Sequence, residues 1–410
     1  MKVRCCIVGG GPAGMVLGFL LARAGVEVLV LEKHSDFLRD FRGDTIHPST
    51  LEIMHELGIL DEFLQRPHQE LSQVGVEIGD CAVQVADFTH LPTHCKFIAL
   101  MPQWDFLNFI AERGRRYPQF HLQMDAEVTE LLEENGRVVG VKARTPQGSV
   151  EVRADLTVGA DGRHSTVRDK AGMAVRDLGA PIDVLWMRVA REANDPVQTL
   201  GRIRGGKFLV TLDRGDYWQC AYVIAKGAFD DIREQGLPAF REALVSVAPF
   251  LGGRVEALTD WSDIKLLSVS IDRLRRWSRP GLLCIGDSAH AMSPIGGVGI
   301  NLAIQDAVAA ANILAQPLLL GSVSERVLRA VQRRRMYPTR MTQAFQVFAQ
   351  KRFIGPALRN RTPVRRPPLL LRMLQVLPAL RRIPARIIGL GFRPEHVRTA
   401  AATNDDQLAG

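Results

Sequence analysis

The hydrophobic positions change period several times along the chain. Residues 3–9 (VRCCIVG) are a mainly apolar run of strand length, 15–24 continue with helical character until Gly25, and 26–31 form a second mainly apolar strand ending at Glu32. That order predicts a strand–helix–strand start. Residues 51–57 are expected to be helical, capped by Ser49 or Thr50, and 104–115 to form an amphipathic helix just after Gln103. Residues 73–100 alternate as strands do. Residues 121–155 read as a small antiparallel meander with turns at Asn135-Gly136 and Gln147-Gly148. The stretch 156–168 (LTVGADGRHSTVR) reads as a strand returning to a parallel sheet, a turn at Asp161-Gly162 and a helix start.

The pattern is different over 181–275. Short alternating stretches recur at 184–190, 207–213, 217–225 and 264–270, with one helical piece near 238–248. They predict an antiparallel sheet that builds a pocket wall. Trp186, Phe208, Tyr217, Trp218 and Tyr222 supply aromatic surface, most of it as core and one or two rings facing a ligand. A strand, a carboxylate, a Pro/Gly-rich turn and a helix then follow in 282–307 (LLCIGDSAHAMSPIGGVGINLAIQDA), with the helix starting near 299–301. Residues 323–353 look helical. The stretch 367–392 is apolar and arginine-studded, divided by Pro378 and Pro384.

The first strand–helix junction carries Gly9-x-Gly11-x-x-Gly14, with Pro12 and Ala13 inside it. The first glycine makes a tight turn, the second lets a pyrophosphate approach the backbone, and the third lets helix and strand pack closely. Glu32, followed by Lys33, stands where an acid accepts bonds from both ribose hydroxyls and repels a 2′-phosphate, so the pocket suits FAD or NAD rather than NADP. Downstream, Asp287 ends its strand where it could bond a sugar-like hydroxyl. Gly296, Gly297 and Gly299 free the backbone for close approach, and the following helix start aims its N–H groups and positive dipole end at an electron-rich group such as a reduced flavin.

Composition narrows the classes. The net charge of +8 is concentrated in 359–398, which hold ten arginines and one acid, Glu395, so the rest of the chain is near neutral. A single aromatic ring, Phe392, stands among those arginines, too few to stack bases, which argues against nucleic acid. The segment suits either packed helices with solvated arginines or peripheral contact with an anionic membrane. Six scattered cysteines, without a CxxC or a Cys/His cluster, exclude a metal site of familiar spacing and read as thiols of a reducing cytoplasm. The glycines and Pro12 interrupt the N-terminal apolar run, so it is not read as a secretion signal, and no apolar run is expected to span a bilayer.

Three motifs in this order resemble the flavin-dependent aromatic hydroxylases, the para-hydroxybenzoate hydroxylase family of single-component FAD monooxygenases. They are the Gly9–Gly14 turn with Glu32, then Gly159-Ala160-Asp161-Gly162 with Arg168, then Gly286-Asp287 with Gly296, Gly297, Gly299 and Asn301. The resemblance covers residues 1 to about 315. It implies an α/β fold, a Rossmann-like FAD-binding domain (1–72, 101–180 and 276–322) with an inserted antiparallel β-sheet substrate domain (73–100 and 181–275) and C-terminal helices (323–410). It also implies roles: Gly9, Gly11, Pro12, Ala13, Gly14, Glu32 and Lys33 for the ADP half of non-covalent FAD; Arg42 and Gln103 along the pyrophosphate and ribityl chain; Asp161, Gly162 and Arg168 in a motif serving FAD and the nicotinamide donor. Asp287 would bond the ribityl chain, Pro294 would sit at the substrate face of the ring, and Gly297, Gly299, Ile300 and Asn301 would stabilise charge on the flavin. Pro294 and Arg42 are the catalytic candidates.

The implied activity is hydroxylation of an aromatic or polyketide-like ring through a flavin C4a-hydroperoxide, with NADH or NADPH and O2 as co-substrates. No second glycine-rich strand–helix–strand unit is present, as expected for a family without a separate nicotinamide domain. Trp186 is followed by MRVAR, so the Trp-x-Trp-x-Ile-Pro motif of flavin halogenases is missing. An FAD-dependent reductase of an apolar, isoprenoid-like substrate is the alternative on the same fold. A flavin-binding protein without catalysis is the alternative from another class.

Overall fold

The computed structural model describes residues 1–38, 45–196, 200–359 and 368–402. The strand Lys2–Val8 pairs in parallel with Val28–Leu31 on one side and with Gly148–Gly159 on the other. A central parallel strand is covered on both faces, which is why residues 5–8 are apolar without alternation; Cys5, Cys6 and Ile7 are buried, while Lys2 and Arg4 at the strand's start are exposed. Leu282–Cys284 and Phe120–Gln123 continue the parallel order at the two sides. Helices Pro12–Arg23 and Val298–Leu319 pack together beside this sheet. One long strand does two jobs: 148–153 of Gly148–Gly159 pair antiparallel with Arg137–Thr145, and 153–159 pair parallel with the first strand.

A second, seven-stranded sheet runs in the order Lys265–Leu267, Ile182–Ala190, Tyr217–Ala225, Lys207–Asp213, Leu200–Arg204, Gln73–Ile78, Cys81–Asp87. Alternation locates most of these strands. It misses Leu200–Arg204 (LGRIR), whose arginines disguise it; Arg202 is buried in the sheet and donates to Thr211 Oγ1 at 2.8 Å. Ile98–Leu100 leaves this sheet for a small one with Thr45–Ile46 and Gln69–Leu71.

Three local expectations are corrected. Phe120–Gln123 pairs with Val28–Leu31 instead of joining the meander, because Asp125 at φ +53° breaks the chain before Glu127–Glu134. The helix expected over 51–57 begins at Pro48, with His47 at its N-cap, since proline suits the first helical position; Ser49 and Thr50 lie inside it. Helix Val298–Leu319 is also part of a stretch, Ile295–Leu319, long and apolar enough to cross a bilayer. With 72% of its most apolar window buried, it reads as a core helix.

The C-terminal region is tied to the body by polar bonds. Arg335 on helix Glu325–Ala349 is fully buried; its Nε donates to Asp306 Oδ1 at 2.8 Å, and one terminal nitrogen donates to the Arg393 carbonyl and to Glu395 Oε1, each at 3.1 Å. Arg334 grips the same Glu395 with two bonds, at 2.7 and 3.0 Å. Further along, Arg23 donates to the Thr399 carbonyl, and Asn312 to that of His396. Helix Arg382–Gly389 packs Ala385 against Phe88 and Leu91, so it is a covering element; Leu369, Met373, Val376, Leu377 and Ile383 stay exposed.

Removing one partner of a buried charge pair leaves the other uncompensated, at a cost of about 3–5 kcal/mol. Arg335→Ala is therefore expected to lower unfolding free energy by about that amount in urea titration. An effect under about 1 kcal/mol, the usual value of a surface pair, would show that Asp306 and Glu395 do not depend on it.

Candidate active site

The glycine turn has the geometry that a dinucleotide needs. Gly9 has φ +104°, and a Cβ there would lie 2.5 Å from the Ala160 carbonyl oxygen. At Gly14 a Cβ would lie 2.0 Å from the Gly9 carbonyl oxygen, so both glycines are required for packing. A Cβ at Gly11 would meet nothing within 4 Å, which leaves that side of the turn open. Gly11 is the N-cap of Pro12–Arg23 and has no side chain to satisfy the first N–H groups, so Ala13 and Gly14 lie where an anion is favoured. Glu32 is held at the rim: its Oε2 accepts from Gly10 N–H at 2.8 Å and its Oε1 from His34 N–H at 3.1 Å. Lys33 beside it is exposed. These features fit the ADP half of FAD.

Asp287 and the Asp161-Gly162 turn are brought together by a residue that sequence reading missed. Arg163 Nε donates to Asp287 Oδ2 at 3.0 Å, and a terminal nitrogen donates to the Met292 carbonyl at 3.4 Å. Ser165 is the N-cap of the helix Thr166–Lys170, accepting from Arg168 N–H at 3.0 Å, and Asp161 supports it, accepting from Ser165 Oγ and from Val167 N–H at 3.1 Å. Burial raises the Asp161 pKa in spite of these bonds. Arg168 is buried, donates to the Arg163 carbonyl at 2.7 Å and approaches Asp272 at 3.9 Å. Gly162 has φ +83°, the left-handed value that its turn requires. Gln103 is half-buried as the first residue of the helix Gln103–Gly114. Arg42 lies outside the described residues.

The loop after Asp287 is fixed from behind by three buried glutamines on one helical face. Gln343 Nε2 donates to the Asp272 and Ala291 carbonyls at 2.7 and 3.1 Å. Gln346 donates to the Ser293 and Ile295 carbonyls and accepts from Ser293 N–H. Gln350 donates to Ser293 Oγ at 2.7 Å. Pro294 therefore sits between two clamped residues. Beyond it Gly296 and Gly297 have φ +77° and +64°, and the helix Val298–Leu319 opens with Gly299, Ile300 and Asn301 in its first turn.

Asn301 does more than lend its backbone. Its Oδ1 accepts from His47 N–H at 2.9 Å and Thr50 Oγ1 at 2.8 Å, and its Nδ2 donates to the Thr45 carbonyl at 3.0 Å. It thus locks the segment 45–50 to the helix start. Gly297 allows this approach: a Cβ there would lie 2.3 Å from Thr45 Oγ1 and 3.3 Å from His47 Nε2. His47 Nδ1 bonds the Ile388 carbonyl at 2.8 Å, while its Nε2 is buried without a protein partner. Burial pushes its pKa down to about 4.

The second sheet turns one apolar face to this loop. Val184, Trp186, Phe208, Val210, Ala221 and Val223 cluster with Ile295, and with Ile354 and Leu358 from the C-terminal region. The opposite face carries Trp218 and Tyr222 as core, with Trp218 Nε1 bonded to Asp195 at 2.7 Å. Trp186 and Phe208 are thus the rings on the loop side. Among the described residues, no His/Cys/Asp/Glu cluster could hold a metal.

A parallel sheet with a glycine turn and terminal acid, joined to an antiparallel sheet across a clamped loop, defines a flavoprotein of the hydroxylase type. The FAD binding domain family matches residues 2–344, and the chain belongs to it. It is 35% identical over 352 residues to 6-methylpretetramide 4-monooxygenase of Streptomyces rimosus, covering 85% of this chain and 84% of the relative. It is 29% identical to rifampicin monooxygenase of Streptomyces venezuelae over 73% of this chain, spanning 61% of that protein. Among solved structures, p-nitrophenol 4-monooxygenase of Pseudomonas putida superposes with a TM-score of 0.73 at 20% identity, covering 96% and 99% of the two chains. The protein is an FAD-dependent monooxygenase. None of these relatives is named as a reductase.

Because His47 is held neutral, the unfolded chain binds its proton more readily between pH 6.5 and about 4. The stability it contributes is present above pH 6.5 and is lost as pH falls through that window. Replacing it, as His47→Gln, is expected to flatten the fall of thermal stability between pH 6.5 and 4. Identical pH profiles for the two proteins would contradict this burial.

Proposed function

We propose that this enzyme hydroxylates a fused, polyketide-type aromatic ring, using O2 and either NADH or NADPH. The observation that carries the substrate class is the apolar wall of Trp186, Phe208, Val210 and Val223, which continues onto Ile295, the residue after Pro294. The side chains that meet Ile295 there are apolar, so this wall favours a flat apolar ligand. The names of the Streptomyces relatives, acting on 6-methylpretetramide and on rifampicin, support the same class.

In this reading Gly9, Gly11, Pro12, Ala13 and Gly14 hold the FAD pyrophosphate, and Glu32 with Lys33 faces the adenosine. Arg42, Gln103 and Asp287 hold the ribityl side. Asp161, Gly162 and Arg168 act mainly by fixing the turn that places Arg163 on Asp287. Bound FAD supplies hydride uptake from the nicotinamide donor and activation of O2. The first-turn N–H groups at Gly299, Ile300 and Asn301 favour negative charge near the ring. Pro294, clamped through Ser293 and Ile295, presents a rigid apolar contact that keeps water from the reacting face.

The test follows oxidation of NADH and NADPH, oxygen uptake and product mass together, with FAD-loaded protein and a panel of simple phenols, naphthols and polycyclic phenols. Polycyclic phenols are expected to raise donor oxidation about tenfold or more and to gain one oxygen atom. Stimulation by single-ring phenols alone would overturn the substrate class. Turnover that persists without oxygen and adds hydrogen would overturn hydroxylation.

A further inference from the structure

A cavity of about 460 Å³ outside the site is lined by Arg176, Arg273, Arg275 and Arg340, with Leu274 and Met336. It forms where the two-stranded sheet Val175–Asp177 and Asp272–Leu274 meets the helix Glu325–Ala349. Arg176 and Arg273 are directly opposed across that sheet. Like charges in that relation destabilise a strand pair. Among the described residues, no carboxylate pairs with any of the four guanidinium groups; Arg273 donates to Gln343 Oε1 at 3.0 Å. Burial, then the charges of Arg340 and Arg176, lower the pKa of Arg273. Four unneutralised cations thus share one concavity, with Arg273 half-buried among them.

The chemistry that relieves this arrangement is a compact anion with several oxygens. Guanidinium groups match phosphate oxygens in pairs, with charge-assisted hydrogen bonds. The position adds a second constraint. Leu274 N–H donates to the Ala289 carbonyl at 2.7 Å and Asp272 N–H to the Ala291 carbonyl at 3.4 Å. The arginine-bearing strand is therefore bonded to the loop between Asp287 and Pro294.

We propose that this cavity is a phosphate-binding site. Two sources offer that chemistry: the phosphates of the nicotinamide donor, which rests on the proposed function, and free phosphate or pyrophosphate, which does not.

The test uses FAD-loaded protein, so that the glycine turn is occupied, and titrates pyrophosphate and 2′,5′-ADP by calorimetry. The double variant Arg176→Ala/Arg340→Ala changes only exposed side chains, and retained FAD content shows that it is folded. Wild-type protein is expected to bind pyrophosphate, more weakly as salt rises, and the double variant about tenfold or more weakly still. A rise in KM for NADPH in the variant, with kcat unchanged, assigns the site to the donor. Unchanged KM for both donors, with pyrophosphate binding lost, assigns it to free phosphate. No binding of either probe by wild-type protein, or equal binding by the variant, would overturn the site. The calorimetric readout that decides whether the site exists needs no turnover, so it stands apart from success or failure of the hydroxylase assay.

Discussion

The buried carboxylate of Asp306 is the constraint on which the rest of the site depends. It accepts from Gly286 N–H at 3.1 Å, from His290 Nε2 and from Arg335 Nε. Burial disfavours its charge, yet His290 and Arg335 outweigh that effect and hold its carboxyl below the usual range. A charge with no exposure must keep its partners, since losing one costs several kcal/mol. Those partners belong to separate parts of the chain: the strand end before Asp287, the loop after it and the helix Glu325–Ala349. Through Arg335 and Glu395 the network reaches the C-terminal strap. Asp287 is therefore placed by the residue before it.

The proposed function draws on how rigidly that strand end is held. On one side Arg163 joins Asp287 to the Asp161-Gly162 turn. On the other, Gln343, Gln346 and Gln350 fix the loop through Pro294, and Asn301 fixes the segment 45–50 at the helix start. The apolar sheet face then meets a loop whose backbone is already bonded. Such preorganisation suits an enzyme whose cofactor carries the chemistry, because the protein's task is to place a ring and exclude water.

Much of this architecture was legible in the sequence, for a physical reason. The Gly9–Gly14 turn, Glu32, the Asp161-Gly162 turn and the Gly296–Gly299 stretch are local, and their demands on the backbone show as glycines at fixed spacing. The strands Lys207–Asp213 and Tyr217–Ala225 were legible because they are short runs rich in β-branched and aromatic residues between turn glycines at Gly205-Gly206, Gly215 and Gly227. What was not legible is pairing between distant residues. Arg163 looked like any turn arginine until Asp287, far along the chain, accepted from it. His290, Asp306, Arg335 and Glu395 share no sequence neighbourhood, and helical glutamines usually signal a solvated face. Ser49 and Thr50 looked like caps because their side chains suit that role, but Pro48 set the start and Thr50 turned to Asn301.

The most direct measurement is FAD affinity of Asp306→Asn, read by flavin fluorescence together with far-ultraviolet circular dichroism. Asparagine keeps one acceptor and the helix, and Arg335 keeps Glu395, so the fold is expected to survive. With Gly286 and His290 no longer held by a charge, FAD affinity should fall about tenfold or more. Unchanged affinity in the folded variant would contradict the claim that this buried carboxylate positions the loop of the proposed cofactor site.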